Sequence, residues 1–142
     1  MGVVVRSYRF PRGPDPELVK KRVRSKHPGA LVQTANAEVA TNSFFLEMLA
    51  AQTLRASATD NLLADKPEID FLLRLARTTQ ISRAIAGVGA RKGEAFLLVV
   101  ADPRRKLGGL GEAGGEELPR SSLSDAELDG VEEAALLNAR RG

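Results

Sequence analysis

Cysteine and tryptophan are both missing from this 142-residue chain, which carries a single histidine, His27, and a single tyrosine, Tyr8. The lack of cysteine removes disulfides, thiolate nucleophiles and thiolate-bound zinc or iron–sulfur sites together. One histidine rules out His-cluster metal sites and leaves any Ser-His-Asp triad hanging on one imidazole. No apolar run reaches the ~18 residues that a membrane span needs. The opening MGVVVRSYRFP lacks the order of charge, apolar core and small-residue cleavage site of a signal peptide. Gly2 is followed by Arg6 where a myristoylation signal has Ser or Thr. The expected compartment is the cytoplasm, with no membrane partner and no cofactor. Most hydrolytic and redox chemistry is disfavoured before any motif is read. What remains favours a binding or scaffolding protein over an enzyme.

What is present is an ordinary globular composition, 43% hydrophobic and 27% charged, at a length that fits one domain. The net charge of +3 is unevenly spread. Eight basic residues (Arg6, Arg9, Arg12, Lys20, Lys21, Arg22, Arg24, Lys26) face only Asp15 and Glu17 within positions 1–27. The remainder of the chain is slightly acidic. One basic end is a mild footprint for a polyanion, although a solvated helix face explains it equally well.

Residues 3–10, rich in valine and aromatics, read as a first strand broken by Pro11, Gly13 and Pro14. Asp15 caps a helix from Pro16 to about Lys26, with Leu18, Val19 and Val23 inward. A second strand covers 30–35. Thr41 or Asn42 then caps a long helix with an apolar stripe through Leu46, Leu49, Ala50, Thr53 and Leu54. Asp65 and Glu68 form a capping box for a helix bearing Ile69, Leu72, Leu73 and Ala76. After a restart at Thr78 or Thr79, a short helix carries Ile81, Ala84, Ile85 and Val88 and stops at Gly89. Arg91-Lys92-Gly93 makes a turn, and the apolar run of 94–101 is a strand covered on both faces. Asp102-Pro103 reads as the cap of a brief basic helix holding Arg104, Arg105 and Lys106, and 108–115 as a loop. Leu118 to Ser121 suits an edge strand. Ser124 with Glu127 is a second capping box, opening a last helix with Leu128, Val131, Ala135 and Leu136. The expected fold is α+β, a single domain over 1–142 with a small, mostly antiparallel sheet packed against several helices. Leu46, Leu49, Leu54, Leu72, Ile81, Ile85, Leu98 and Val99 are the expected core.

Few groups suggest chemistry. Gly109-x-Gly111-x-x-Gly114 matches the dinucleotide fingerprint by letter, but that motif needs a strand before it and a helix N-terminus after it. Here Glu116 and Glu117 follow and would repel phosphate, so the segment reads as a loop. The pairs Glu116/Glu117 and Glu132/Glu133 read as exposed, and His27 as a helix C-terminal group interacting with the dipole. A cluster of Arg74, Arg77, Gln80, Arg83, Arg91 and Lys92 could gather cations near one helix-to-strand corner. The plain alternative is the charged outer face of two amphipathic helices.

The stretch from Ala40 to Val100 carries a resemblance. Thr41-Asn42-Ser43-Phe44-Phe45-Leu46-Glu47-Met48-Leu49 enters a long helix, and Leu73-Arg74-Leu75-Ala76-Arg77-Thr78-Thr79-Gln80-Ile81-Ser82-Arg83-Ala84-Ile85 precedes Gly89 and an apolar strand. This arrangement resembles the small KEOPS subunit family, which includes the PRPK-binding protein. Gln80 and Gly89 carry most of the specificity, since the apolar spacing between them suits any amphipathic helix. The family pattern before Gln80 usually runs small Gly, Ser or Thr, then arginine. This chain has Arg77 at the Gly-like position and Thr79 where that arginine would stand.

The resemblance implies an accessory subunit that binds and stimulates the KEOPS kinase-ATPase subunit on its N-lobe. It further implies holding the single-stranded CCA end of tRNA while the complex forms threonylcarbamoyladenosine. The expected RNA-binding residues are Arg77, Gln80, Arg83, Val88, Gly89, Arg91 and Lys92. With aromatics at 4%, base stacking falls to aliphatic side chains such as Val88 or to arginine planes.

Overall fold

The apolar run that ends at Asp102 forms the strand on which everything else is laid. The computed structural model describes residues 4–103 and 114–141, and every residue of Phe96–Asp102 is buried. This strand, β3, follows β1 (Val4–Phe10), α1 (Pro16–Lys26), β2 (Leu31–Asn36), α2 (Ser43–Ala58), α3 (Pro67–Ala76) and α4 (Ile81–Val88). A two-residue β4 (Glu116–Glu117) and α5 (Asp125–Arg141) complete the described elements. The sheet order is β2-β3-β1-β4 with antiparallel pairing throughout. Phe10 lies opposite Phe96 on β3, and their rings stack with centroids 4.9 Å apart. The architecture is α+β.

Alternation along β3 divides the core in two. Phe96, Leu98 and Val100 point to one face, where Tyr8, Phe10, Val32 and the α1 residues Val19 and Val23 cover them. Leu97, Val99 and Ala101 point to the other, against α2, α3, α4 and α5 through Leu46, Leu49, Phe71, Leu73 and Ala134. Helix α1 forms as its sequence dictates, with the Asp15 carboxylate accepting from the Glu17 N–H at 3.0 Å and Pro16 in the first turn. Asn42 caps α2 in the same way, accepting from the Phe44 N–H at 3.0 Å.

Several expected inward faces are corrected. Leu18, Leu128 and Leu136 are 58%, 45% and 56% exposed, and Ile81 and Ile85 are 47% and 52% exposed. Helix α4 buries Ala84 and Val88 instead, and α5 buries Val131, Ala134 and Leu137. Each buried face has an alanine at its centre, Ala84 in α4 and Ala134 in α5, which lets the helix approach its neighbours closely. Gly130 of α5 leaves so little room that an added Cβ would lie 3.2 Å from the Phe45 ring.

The cap of α3 also differs. It is Lys66, without a side-chain hydrogen bond, so Asp65 and Glu68 form no capping box. Asp102 is the last residue of β3, and the basic helix expected after it lies outside the described residues. The edge strand is Glu116–Glu117, ahead of Leu118–Ser121. Arg104, Arg105, Lys106, Gly109 and Gly111 lie outside the described residues.

The second capping box forms as expected. The Glu127 N–H donates to Ser124 Oγ at 3.1 Å, and the Ser124 N–H donates to Glu127 Oε1 at 2.9 Å. That Ser124 N–H holds the Glu127 pKa below the usual glutamate value, helped by the Asn42 amide and the Ser124 hydroxyl against an opposing effect of burial. A lowered folded-state pKa contributes stability above the unfolded value, and that stability is lost as pH falls through the folded one. Glu127→Gln is therefore expected to cost stability at neutral pH and to flatten the acid side of the stability–pH curve. Ser124→Ala should cost about 1 kcal/mol through the lost cap. Denaturant titrations across the acid range check both, and an unchanged acid limb in Glu127→Gln would contradict them.

Candidate nucleic-acid interface

The cations grouped by sequence separate into those that hold the fold together and those that face solvent. Arg74 belongs to the first kind. It is 2% exposed and donates from Nε and an Nη to the two oxygens of the Asp70 carboxylate, at 2.7 and 3.1 Å. Its remaining donors reach the Ala134 carbonyl at 3.1 Å and Asn138 Oδ1 at 3.0 Å, both on α5. Asp70 also accepts from Thr53 Oγ1 at 2.5 Å and from the Leu63 N–H at 2.9 Å. The Asp70 carboxylate accepts four hydrogen bonds and the Arg74 guanidinium donates four, the compensation that charges in a low-dielectric interior require. Arg74 is a structural arginine and leaves the candidate site.

Arg77 ends α3 in a left-handed conformation, φ 59° and ψ 43°. Its guanidinium lies against Gly130 and donates to Glu133 of α5 at 3.5 Å. Gln80 is exposed at the N-terminus of α4, and its N–H donates to Thr78 Oγ1 at 3.1 Å. Arg83 and Lys92 are exposed, and neither forms an ion pair among the described residues. Arg91 caps the other end of α4 by donating to the Ala86 carbonyl at 3.0 Å, with Glu94 at 3.9 Å. A cation there also suits the negative end of the helix dipole.

Two of the sequence-derived roles fail on geometry. Val88 is 9% exposed and faces the core beside Ala84, so it offers no surface to a base. Gly89 is buried, and the backbone that approaches it closely is the chain's own. An added Cβ would sit 2.5 Å from the Ile85 carbonyl oxygen, to which the Gly89 N–H is bonded at 3.0 Å. Gly89 thus closes α4 and makes no room for a ligand. The remaining residues fall at two ends of one short helix, Arg77, Gln80 and Arg83 at its start and Arg91 and Lys92 just beyond its end.

The face missed by sequence reasoning is Ile81 and Ile85 themselves. They lie one turn apart, so they form one exposed aliphatic strip between those two ends. Their spacing was visible, but with Ile81, Ala84, Ile85, Ala86 and Val88 all apolar, an eight-residue helix does not say which of them turn outward.

The basic N-terminal region contributes less free charge than its count suggests. Lys20 pairs with Glu17 at 3.2 Å and donates to Gln33 at 3.3 Å, while Arg24 reaches the Val32 carbonyl at 3.5 Å and Glu68 at 4.0 Å. Lys21, Arg22 and Lys26 remain exposed without ion pairs among the described residues. No helix among the described residues is long and apolar enough to cross a membrane. His27 is buried at the C-terminus of α1, where its N–H bonds the Val23 carbonyl. Comparison with the models of known protein families finds no match for the chain, and comparison with curated proteins finds none either.

Proposed function

We propose that the chain is an accessory subunit of a KEOPS-type complex, the assembly that makes threonylcarbamoyladenosine next to the anticodon of tRNA. In this reading it forms no bonds itself. It binds the N-lobe of the kinase-ATPase subunit, regulates that subunit, and holds the single-stranded CCA end of tRNA in the cytoplasm. The observation that carries the RNA part is the exposed strip of Ile81 and Ile85, with the unpaired cations Arg83 and Lys92 on the same helix and the following turn. Single strands are held by a cationic track together with surfaces on which bases rest. The left-handed backbone of Arg77 supports the family reading independently, because a glycine is what that conformation favours and what the family carries there.

A second reading, a protein-only adaptor without RNA contact, is favoured by the engagement of Arg74, Arg77 and Arg91 within the chain. Binding of intact and CCA-trimmed tRNA across a salt series separates the two. Trimming should remove most of the affinity. Reversing Arg91 and Lys92 to Glu should weaken binding at least tenfold and flatten the log–log salt slope by roughly 1.4, at about 0.7 per contact on a single strand. An effect seen only on reversing Lys20, Lys21 and Arg24 would move the site to α1, and no tRNA binding at all would favour the adaptor.

A further inference from the structure

Beyond the C-terminal end of α4, the fold brings together residues far apart in sequence around a cleft of about 570 Å³. Arg9 and Arg12 reach it from the end of β1 and the turn that follows, and Arg91 and Glu94 from the turn between α4 and β3. Asn36 comes from the end of β2 and Glu38 from the turn that follows it. The volume lies within the range of small-ligand sites, ~300–1,000 Å³. Arg9 and Arg12 are exposed and form no ion pair among the described residues, so their guanidinium forks are open to an incoming anion. Glu38 is held in place from its backbone, its N–H donating to Asn36 Oδ1 at 3.1 Å. The Asn36 amide in turn donates to the Gly87 carbonyl of α4 at 3.0 Å.

The mixed lining is the informative part. Three arginines alone would take any polyanion. Two carboxylates among them repel bare phosphate, and they accept hydrogen bonds, so they favour a ligand that presents a hydroxyl beside its phosphates. A ribose 2′-hydroxyl is such a donor, and it is the group by which proteins tell RNA from DNA. We infer that this cleft seats a ribonucleotide of the bound single strand, with Arg9, Arg12 and Arg91 on its phosphates and Glu38 or Glu94 accepting from its 2′-hydroxyl. The inference rests on the RNA-binding reading above and extends the strand's path from the Ile81–Ile85 strip past the Arg91–Lys92 turn to the end of the sheet.

The test uses the full chain and two labelled single-stranded oligonucleotides ending in CCA, one ribo and one deoxy, followed by fluorescence anisotropy over a salt series. The ribo-oligonucleotide should bind more tightly. Arg9→Glu with Arg12→Glu should weaken it about tenfold or more and flatten its salt slope by roughly 1.4. Glu38→Ala with Glu94→Ala should bring ribo and deoxy affinities together, chiefly by improving the deoxy. These side chains are all exposed, so thermal melting should match the parent chain and certify the fold of each variant. Unchanged RNA binding after reversal of Arg9 and Arg12, alongside loss after reversal of Arg91 and Lys92, would overturn the cleft and leave the RNA reading standing. Equal binding of both oligonucleotides by the parent chain would overturn the role of the carboxylates. Failure of the parent chain to bind either would overturn both readings.

Discussion

Replacing Arg74 with alanine is expected to lower the unfolding free energy by about 3–5 kcal/mol, which is a large share of what a domain has. The loss arises because the Asp70 carboxylate, fully buried on α3, would keep its charge site and lose two of its four donors. The Ala134 carbonyl and Asn138 would lose their donor at the same stroke, loosening α5 from α3. A paired replacement, Asp70→Leu with Arg74→Met, should recover only part of the loss, since it removes both charges and their desolvation cost but leaves the Thr53 hydroxyl and the Leu63 N–H without their acceptor. Denaturant unfolding of the single and paired variants checks this. An Arg74→Ala variant within about 1 kcal/mol of the parent would show that the network is not formed in solution.

Leu98→Ala and Ile85→Ala should behave in opposite ways. Leu98 is fully buried on the central strand, in the layer between the sheet and α1, and its truncation should cost about 2–5 kcal/mol. Ile85 is 52% exposed, and its truncation should stay within about 0.5 kcal/mol. If the Ile81–Ile85 strip supports bases, Ile85→Ala should weaken tRNA binding while leaving the melting curve in place. Comparable destabilisation by the two variants would mean that α4 is rotated from the orientation described. Loss of tRNA affinity at constant stability is the outcome that joins the helix to the proposed function.

These two residues also show where sequence is legible and where it stops. Phe96 to Ala101 is apolar at every position, and a strand covered on both sides is the simplest structure that buries all of it. The caps at Asp15 and Ser124 were readable, and that of α2 to within Thr41 or Asn42, because each needs only a side-chain oxygen and a nearby N–H. The rotation of α4 and α5 about their own axes was not readable. Ile81, Ala84, Ile85 and Val88 satisfy a helical repeat whichever pair is inside, and the choice is made by how closely α3 approaches. Arg74 posed the same problem in electrostatic form. Asp70 and Arg74 stand four residues apart, the spacing of a surface ion pair, and nothing local announces that α5 will cover them. Of the candidate site, Gln80, Arg83 and Lys92 were found by residue type, whereas the cleft at Arg9 and Arg12 depends on a register between β1 and β3 that only the folded chain reveals.

That register has a consequence for how the molecule is born. Strand β3 is the only described neighbour of β2 and separates it from β1, so neither of the two earlier strands has its partner until residue 102 has been synthesised. Val4 pairs with Asp102, a closure across nearly the whole described chain, and such distant pairings slow folding because the chain loses freedom before any contact rewards it. On the ribosome, α2, α3 and α4 can form and pack locally while β1 and β2 wait with their apolar faces uncovered. Emergence of β3 then joins β1 and β2 and closes the core beneath α1, while β4 and α5 complete the sheet edge and the other core afterwards. A nascent chain stalled before Phe96 should accordingly display the sticky strands without the sheet that hides them, which makes this interval the point at which the protein most needs a chaperone.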